Sequence, residues 1–398
     1  MSRTTTPRTP QRLDRPIQRI LRSAESMWDN PDTRPAVRRN FRKILECGTP
    51  ALGAEVYASA TQHKVVHHTC KSRSCPSCGY KATMEWQRQI QASLPEIPFA
   101  AIVFTMPSVL WPFYQRNRHL LEELPLLGAS VIQQWAAETH ELELMGVAVR
   151  HTFGRHLNFN PHLHVLVSAA GWRDREGCWV ESLHFDRSAL MRRWRYAVTT
   201  QLRAALNEGI LDSDMPGGQL KELFSAQYGR RWNIFVDNLT SKEHFFKYAG
   251  RYVRRPPVAQ HRFSRITADV ISFRTKDLKL KREVLTEHSP EEFIRLLAEH
   301  VPDLYRHTTR YFGLLAPRSR ARKMAGVFAV LKQQATARLE RESWADSMTR
   351  CFGVDPLCDR NGERMRLIGR RAPRACTVRP GEERSRSTQG VPPSEEER

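Results

Sequence analysis

The chain has 398 residues, 40% hydrophobic and 26% charged, with 63 Lys and Arg against 42 Asp and Glu and a formal net charge of +21. That apolar content can build a core, which excludes a wholly disordered chain. The cationic excess points to a polyanion, most simply nucleic acid, because Lys and Arg neutralising phosphates drive such binding.

No apolar run approaches the roughly 18 residues of a helical membrane span. The N-terminal MSRTTTPRTPQRLDRP lacks the apolar core of a secretory signal. A cytoplasmic, DNA-associated protein is expected, with its eight cysteines as thiols or metal ligands rather than disulfides.

In chain order, residues 1–15 are rich in Thr, Pro and Arg and are expected to lack order. Pro16 opens a helix predicted over 16–28, and 34–46 reads as a second, with Val37, Phe41, Ile44 and Leu45 apolar. CKSRSCPSCG then brings Cys70, Cys75 and Cys78. The Cys-Pro-Ser-Cys-Gly turn places two thiolates at tetrahedral spacing, so this segment is expected to bind Zn²⁺. Cys70 is the third ligand, and Cys47, His63, His67 or His68 the fourth. Lys71, Arg73 and Lys81 beside the cluster can reach DNA phosphates.

A helix is predicted over 81–94, a buried strand over 98–107 and a long helix over 111–139. Strands at 144–153 and 159–169, separated by Gly154–Arg155, predict an antiparallel hairpin. The second of them lies in LNFNPHLHVLVSAAG, residues 157–171. The two-residue period of a strand puts His162 and His164 on one face, and Leu163, Val165 and Val167 on the other. Two imidazoles held so can bind a divalent metal. On these residues alone, a half-buried strand with incidental histidines fits as well.

Residues 188–208 form an amphipathic helix with Leu190, Trp194, Val198, Leu202 and Leu206 every fourth residue. A short strand at 232–236 follows, then a helix capped by Ser241 that carries KEHFFKYAGRYVRR. A hairpin is predicted from 270–275 and 282–286, a helix capped by Ser289 with Pro290 first, and a strand at 310–315. Residues 321–348 read as a basic helical stretch, and 351–368 as a small segment with Cys351 and Cys358. From 370 the Arg, Pro, Ser and Glu-rich tail is expected to lack order. The expected domains are therefore a DNA-recognition segment at 16–94, a catalytic domain at 95–320 and a basic helical segment at 321–369.

Tyr248 and Tyr252 are four apart and share a helix face, with Lys247, Arg251, Arg254 and Arg255 beside them as DNA contacts. Such a pair alone is usually packing. Beside a metal-binding strand in a basic protein, a tyrosine can attack a phosphodiester and store the bond as a phosphotyrosine.

Several blocks in order, CKSRSCPSCG, IVFTMP, FGRHLNFNPHLHVLV, KYAGRYVRRPPVA, EFIRLLAEHVP, RYFGLLAP and DPLC, give the chain a resemblance to a known family. It resembles the transposases of the insertion sequence 91 family, two-tyrosine members of the HUH endonuclease superfamily. The resemblance implies an α+β fold: an HUH core of antiparallel sheet and flanking helices, ferredoxin-like, preceded by a helical and zinc-binding segment. It implies cleavage and rejoining of single-stranded DNA at element ends through 5′-phosphotyrosine intermediates, in rolling-circle transposition, with terminal hairpins recognised. Tyr248 and Tyr252 match the nucleophiles. His162 and His164 match the ligands of a catalytic Mg²⁺ or Mn²⁺, with His244 as the candidate third ligand and His156 or Glu243 behind it. The chemistry alone also fits a rolling-circle replication initiator or relaxase, and the chain could be a decayed transposase that only binds DNA. Asn160 stands where the family commonly has histidine. ASATQHK and Cys358-Asp359-Arg360-Asn361 stand where it usually has Cys-x-x-Cys and Cys-Pro-x-Cys.

Overall fold

The computed structural model describes residues 15–252, 256–277, 281–335, 339–340 and 342–374, with Lys247, Arg251 and Tyr252 described by backbone alone. The predicted tails at 1–14 and 375–398 lie outside the described residues. The chain opens with α1 (Pro16–Ser23), α2 (Glu25–Trp28), α3 (Pro35–Glu46), β1 (Ala54–Ala58), β2 (His63–His67) and α4 (Pro76–Ser93). Then come β3 (Phe99–Phe104), α5 (Trp111–Arg116), α6 (Arg118–His140), β4 (Met145–Phe153), β5 (Phe159–Ser168), β6 (Gly171–Arg173) and β7 (Cys178–Val180). They are followed by α7 (Arg187–Asn207), α8 (Gly217–Ala226), β8 (Ile234–Leu239), α9 (Lys242–Tyr252), β9 (Phe263–Ile266), β10 (Ile271–Lys276) and β11 (Glu283–His288). The last elements are α10 (Pro290–Glu299), β12 (Thr309–Gly313), α11 (Pro317–Val330), α12 (Trp344–Phe352) and β13 (Arg366–Arg371). Among the described residues no helix is long and apolar enough to cross a membrane.

The chain divides into two units, Met1–Leu45 with Cys70–Pro356, and Glu46–Thr69 with Leu357–Arg398. The first is built on a five-stranded antiparallel sheet in the order β12-β4-β5-β3-β8. Phe-Ala-Ala-Ile-Val-Phe of β3 is apolar throughout because both faces are covered. On one face Ile102, Phe104, Leu163, Val165 and Val167 pack with Leu124, Ile132 and Trp135 of α6 and Trp194 and Leu202 of α7. On the other, Phe99, Ala101, Val147, Val149 and Leu166 pack with Trp86 and Ile90 of α4, Phe245 and Ala249 of α9, and Val327 of α11. β3, α6, β4, β5, α7 and β8 follow one another as β-α-β-β-α-β within this sheet, with α8 added after α7. Gly313 ends β12 at φ +55°, and a Cβ there would lie 1.8 Å from the Leu144 carbonyl oxygen, so only glycine fits.

Three helices predicted as continuous are broken. The 16–28 helix is interrupted at Ala24 (φ −118°, ψ 30°). The 111–139 helix breaks at Asn117, whose side-chain amide donates to the Phe113 and Asp212 carbonyls at 2.9 Å and accepts from the Asp212 N–H at 2.8 Å. Those bonds tie the break to a distant loop. The 321–348 stretch is two helices: α11 is followed by its cap Leu331, Lys332 takes φ 53°, and Ser343 caps α12 by accepting from the Asp346 N–H. The predicted hairpin at 270–286 gains a third strand, giving the order β11-β10-β9.

The second unit is a three-stranded sheet in the order β13-β1-β2, with β13 running to Arg371, past the expected start of the tail. Its loops meet at Asp359, whose carboxylate accepts from Ser59 Oγ at 2.7 Å, Thr61 Oγ1 at 2.9 Å and the N–H groups of Asn361 and Glu363 at 2.8 Å. The Ser59 hydroxyl and these other donors hold the Asp359 pKa down at about 2.

Candidate active site and cysteine cluster

β4 and β5 form the predicted hairpin, and its register sets the site. His151 of β4 pairs with His162 of β5, so both point to one face with His164, while Leu163 and Val165 enter the core behind. The imidazole centroids are 5.4 Å apart for His151–His162, 4.6 Å for His151–His164 and 5.0 Å for His162–His164. One nitrogen from each lies within 4.8 Å of the others. His151 is 4% exposed and His164 8%, so the donors sit in a largely dry pocket in which imidazole nitrogens would replace the water ligands of a cation. His162 Nδ1 faces the Asn160 carbonyl oxygen at 2.7 Å.

The turn below is held from outside. Leu157 takes φ 64°, and the buried His300 places Nε2 2.8 Å from its carbonyl oxygen and Nδ1 3.1 Å from Thr152 Oγ1. Burial pushes the His300 pKa down to about 4. Its folded value lies below the unfolded one, near 6.5, so its stabilisation is complete above pH 6.5 and is lost as pH falls towards 4. Unfolding measured by denaturant titration is therefore expected to lose on the order of 3 kcal/mol over that window. His300→Gln is expected to flatten that loss, and an unchanged acid slope in the variant would remove His300 as its source.

α9 lies over the histidine face. Phe245 stacks 4.7 Å from Phe99, and Ala249 is fully buried. Tyr248, half-buried, places its hydroxyl 3.2 Å from His164 Nδ1. Tyr252 follows one turn later in the same helix, its side chain outside the described residues, as are the side chains of Lys247 and Arg251 and the whole of Arg254 and Arg255.

The third histidine of the cluster is His151, and His244 is not part of it: His244 is exposed, and its Nδ1 lies 3.0 Å from Thr240 Oγ1 in the first turn of α9. His156 instead places Nδ1 2.8 Å from Thr286 Oγ1, and Glu243 is exposed. Counting across the turn from Phe153 opposite Phe159 would set Arg150 opposite His162, and a register shift between His151 and Phe153 brings His151 there instead, so the sequence gives no direct signal for it.

Cys70, Cys75 and Cys78 bring their sulfurs within 4.8 Å of one another, with Cys70 Sγ and Cys78 Sγ 3.6 Å apart. Cys75 is the N-cap of α4, Pro76 its first residue and Cys78 its third. Helix N–H groups and the positive end of the macrodipole therefore favour the thiolate forms. Gly79 lets the turn close, since a Cβ there would lie 2.5 Å from the Arg73 carbonyl oxygen. Lys71 is exposed, at φ 53°, and Arg73 donates to Thr308 Oγ1. Cys47, directly after α3, is buried. In the second unit, exposed His63 and half-buried His67 lie on β2, and His68 Nδ1 is 3.0 Å from the Leu52 carbonyl oxygen.

The site thus joins a three-histidine face with a tyrosine against it, and the chain carries a cysteine cluster besides. Comparison with known proteins makes this specific. Residues 146–323 match a family model described as a putative transposase, and residues 20–106 match one described as a transposase zinc-binding domain. The chain is 30% identical over 376 residues, 90% of each protein, to the "Transposase for insertion sequence element IS801" of Pseudomonas savastanoi pv. phaseolicola. It is 29% identical over 307 residues, 73% of this chain and 77% of the relative, to the "Putative transposase y4qJ" of Sinorhizobium fredii. No solved structure matches. The chain belongs to the insertion sequence 91 family of transposases. Its zinc-binding match includes four cysteines, Cys47, Cys70, Cys75 and Cys78, a donor set suited to Zn²⁺.

Proposed function

We propose that this transposase nicks and rejoins single-stranded DNA at element ends by the two-tyrosine HUH mechanism, in the rolling-circle manner. The observation that carries the reading is the Tyr248 hydroxyl, 3.2 Å from Nδ1 of a histidine within a three-imidazole cluster. The β-α-β-β-α-β succession in an antiparallel sheet agrees with the ferredoxin-like core of such enzymes.

The Tyr248 oxygen attacks the phosphorus of a phosphodiester. The bond from phosphorus to the 3′ oxygen breaks, and that oxygen leaves as a 3′-hydroxyl carrying a proton. The 5′ phosphate stays on tyrosine, and a 3′-hydroxyl from another strand reverses the step without an external energy source. With Nε2 on a metal, His164 Nδ1 would carry the ring proton, donate to the Tyr248 oxygen and orient it, while the phenol proton leaves to solvent water. Tyr252, one turn on, serves the second strand transfer. With Nδ1 of His162 and His164 engaged by Asn160 and Tyr248, each retains Nε2 for a divalent ion, and His151 supplies the third nitrogen. These nitrogens would hold a divalent ion, whose chemistry when bound would be to polarise a phosphate oxygen. At the cysteine cluster Cys70, Cys75 and Cys78 serve as zinc ligands. Lys71, Arg73, Lys247, Arg251, Arg254 and Arg255 serve as contacts to DNA phosphates, and the terminal hairpins of the element are its partners.

An all-imidazole donor set suits a transition ion better than Mg²⁺. Incubation with single-stranded element ends is therefore expected to give a covalent complex on a denaturing gel. Brief chelation should abolish it, Mn²⁺ should restore it more strongly than Mg²⁺, and Zn²⁺ alone should fail. Intact DNA binding with no covalent complex under any of these ions would defeat the nicking reading. Equal rescue by Mg²⁺ would defeat the donor-set reasoning.

A further inference from the structure

A small cavity of about 40 Å³ lies at the end of β4, where β12 begins at Thr309. Arg73, Arg118, Arg150, His151, Thr152 and His300 are among the residues that line it, so it abuts the histidine cluster at His151. Arg150 pairs in register with Leu163, so its side chain leaves the sheet on the face away from the three histidines. It is 5% exposed, and its Nη1 is buried with no hydrogen-bond partner.

The carboxylates nearby are engaged elsewhere. Asp303 pairs with Arg34, and with Arg118 at 3.3 Å. Glu299 lies 3.8 Å from Arg118, and Glu122 pairs with Arg306 at 3.0 Å. Five arginines, Arg34, Arg73, Arg118, Arg150 and Arg306, thus gather around three carboxylates. Arg150 makes no ion pair within 4.0 Å among the described residues, and a guanidinium keeps its charge at neutral pH. A buried guanidinium left so is costly and gains most from an incoming anion. The cavity is too small for a base and of the right order for phosphate oxygens.

We propose that Arg150, with Arg73 and Arg118, forms a phosphate subsite that grips the backbone of the DNA strand beside the nicking centre. The site rests on DNA being the substrate but not on Tyr248 being the nucleophile, so it is tested in a Tyr248→Phe background, with the absence of a covalent complex checked on a denaturing gel. In that background Arg150→Met is expected to weaken binding of a single-stranded oligonucleotide about tenfold. The salt dependence of log K should become shallower by about 0.7, the release of one counterion. The thermal midpoint should stay level or rise, because a buried unpaired charge is removed. A lower midpoint with unchanged affinity and salt slope would make Arg150 a structural residue and overturn the proposal. Inorganic phosphate at matched ionic strength supplies the other arm. If it stabilises the Tyr248→Phe protein but not the double variant, while oligonucleotide affinity is equal in both, the cavity takes free anions only and the DNA assignment falls.

Discussion

Tyr248→Phe is expected to lower the yield of covalent protein–DNA complex by at least about a thousandfold, because removing a nucleophile leaves only the binding contribution to catalysis. Shape is nearly unchanged by the substitution. One hydrogen bond to His164 is lost, a cost of about 1 kcal/mol, and Phe245 and Ala249 still seat α9 on the sheet. Non-covalent affinity for the same oligonucleotide should therefore change less than about twofold, since no phosphate-binding charge is removed. Tyr252→Phe should retain the first covalent complex and lose strand transfer. A complex that persists in Tyr248→Phe but disappears in Tyr252→Phe would reverse the two roles. One that survives the double substitution would remove both tyrosines from the chemistry.

Whatever depends on short-range period is legible in the amino-acid order itself. His162 and His164 share a face because a strand alternates, and Leu163, Val165 and Val167 enter the core for the same reason. Ser289 with Pro290 marks the start of α10 to the residue, since capping is local chemistry. What escapes depends on partners far away in sequence. His151 joins the histidine face only through a shift in cross-strand register, whereas His244 attracts attention because helix spacing is easy to count. β1 and β2 are short, and Ala-Glu-Val-Tyr-Ala carries little signal of its own. Their third strand, β13, comes some 300 residues later, with Ala54 opposite Arg371. That is also why Ser59 and Thr61 read as plain loop residues, when their hydroxyls bind Asp359. The break at Asn117 is hidden in the same way, because the Asp212 backbone it binds lies outside any local window.

Cys75→Ser is expected to have the other large effect, and to reach the tyrosine helix from a distance. Cys75 is both a thiolate of the cluster and the N-cap of α4, so its replacement releases the metal and loosens the first turn of that helix. Serine can still cap, which leaves metal loss as the main term. Zinc held by such clusters supplies folding energy directly, about 10 kcal/mol or more in isolated finger peptides. Here α4 also packs through Trp86 and Ile90, so only part of that is at risk, and a fall in thermal midpoint of roughly 10 °C corresponds to a loss of a few kcal/mol in a unit of this size. From α4, Gln87 donates to the Phe246 carbonyl oxygen at 2.7 Å, and its amide lies over Gly250. Those two residues bracket Tyr248, so a loosened α4 lets the phenol drift from His164. Covalent complex formation should then fall at least tenfold even with Mn²⁺ in excess, because misplacing a reacting group by about 1 Å costs on the order of a hundredfold. Ser77→Ala, between the same two cysteines, should leave zinc content, midpoint and covalent complex close to wild type. Retention of full zinc by Cys75→Ser would remove Cys75 from the ligand set. Loss of zinc with an unchanged yield of covalent complex would uncouple the cysteine cluster from the tyrosine helix.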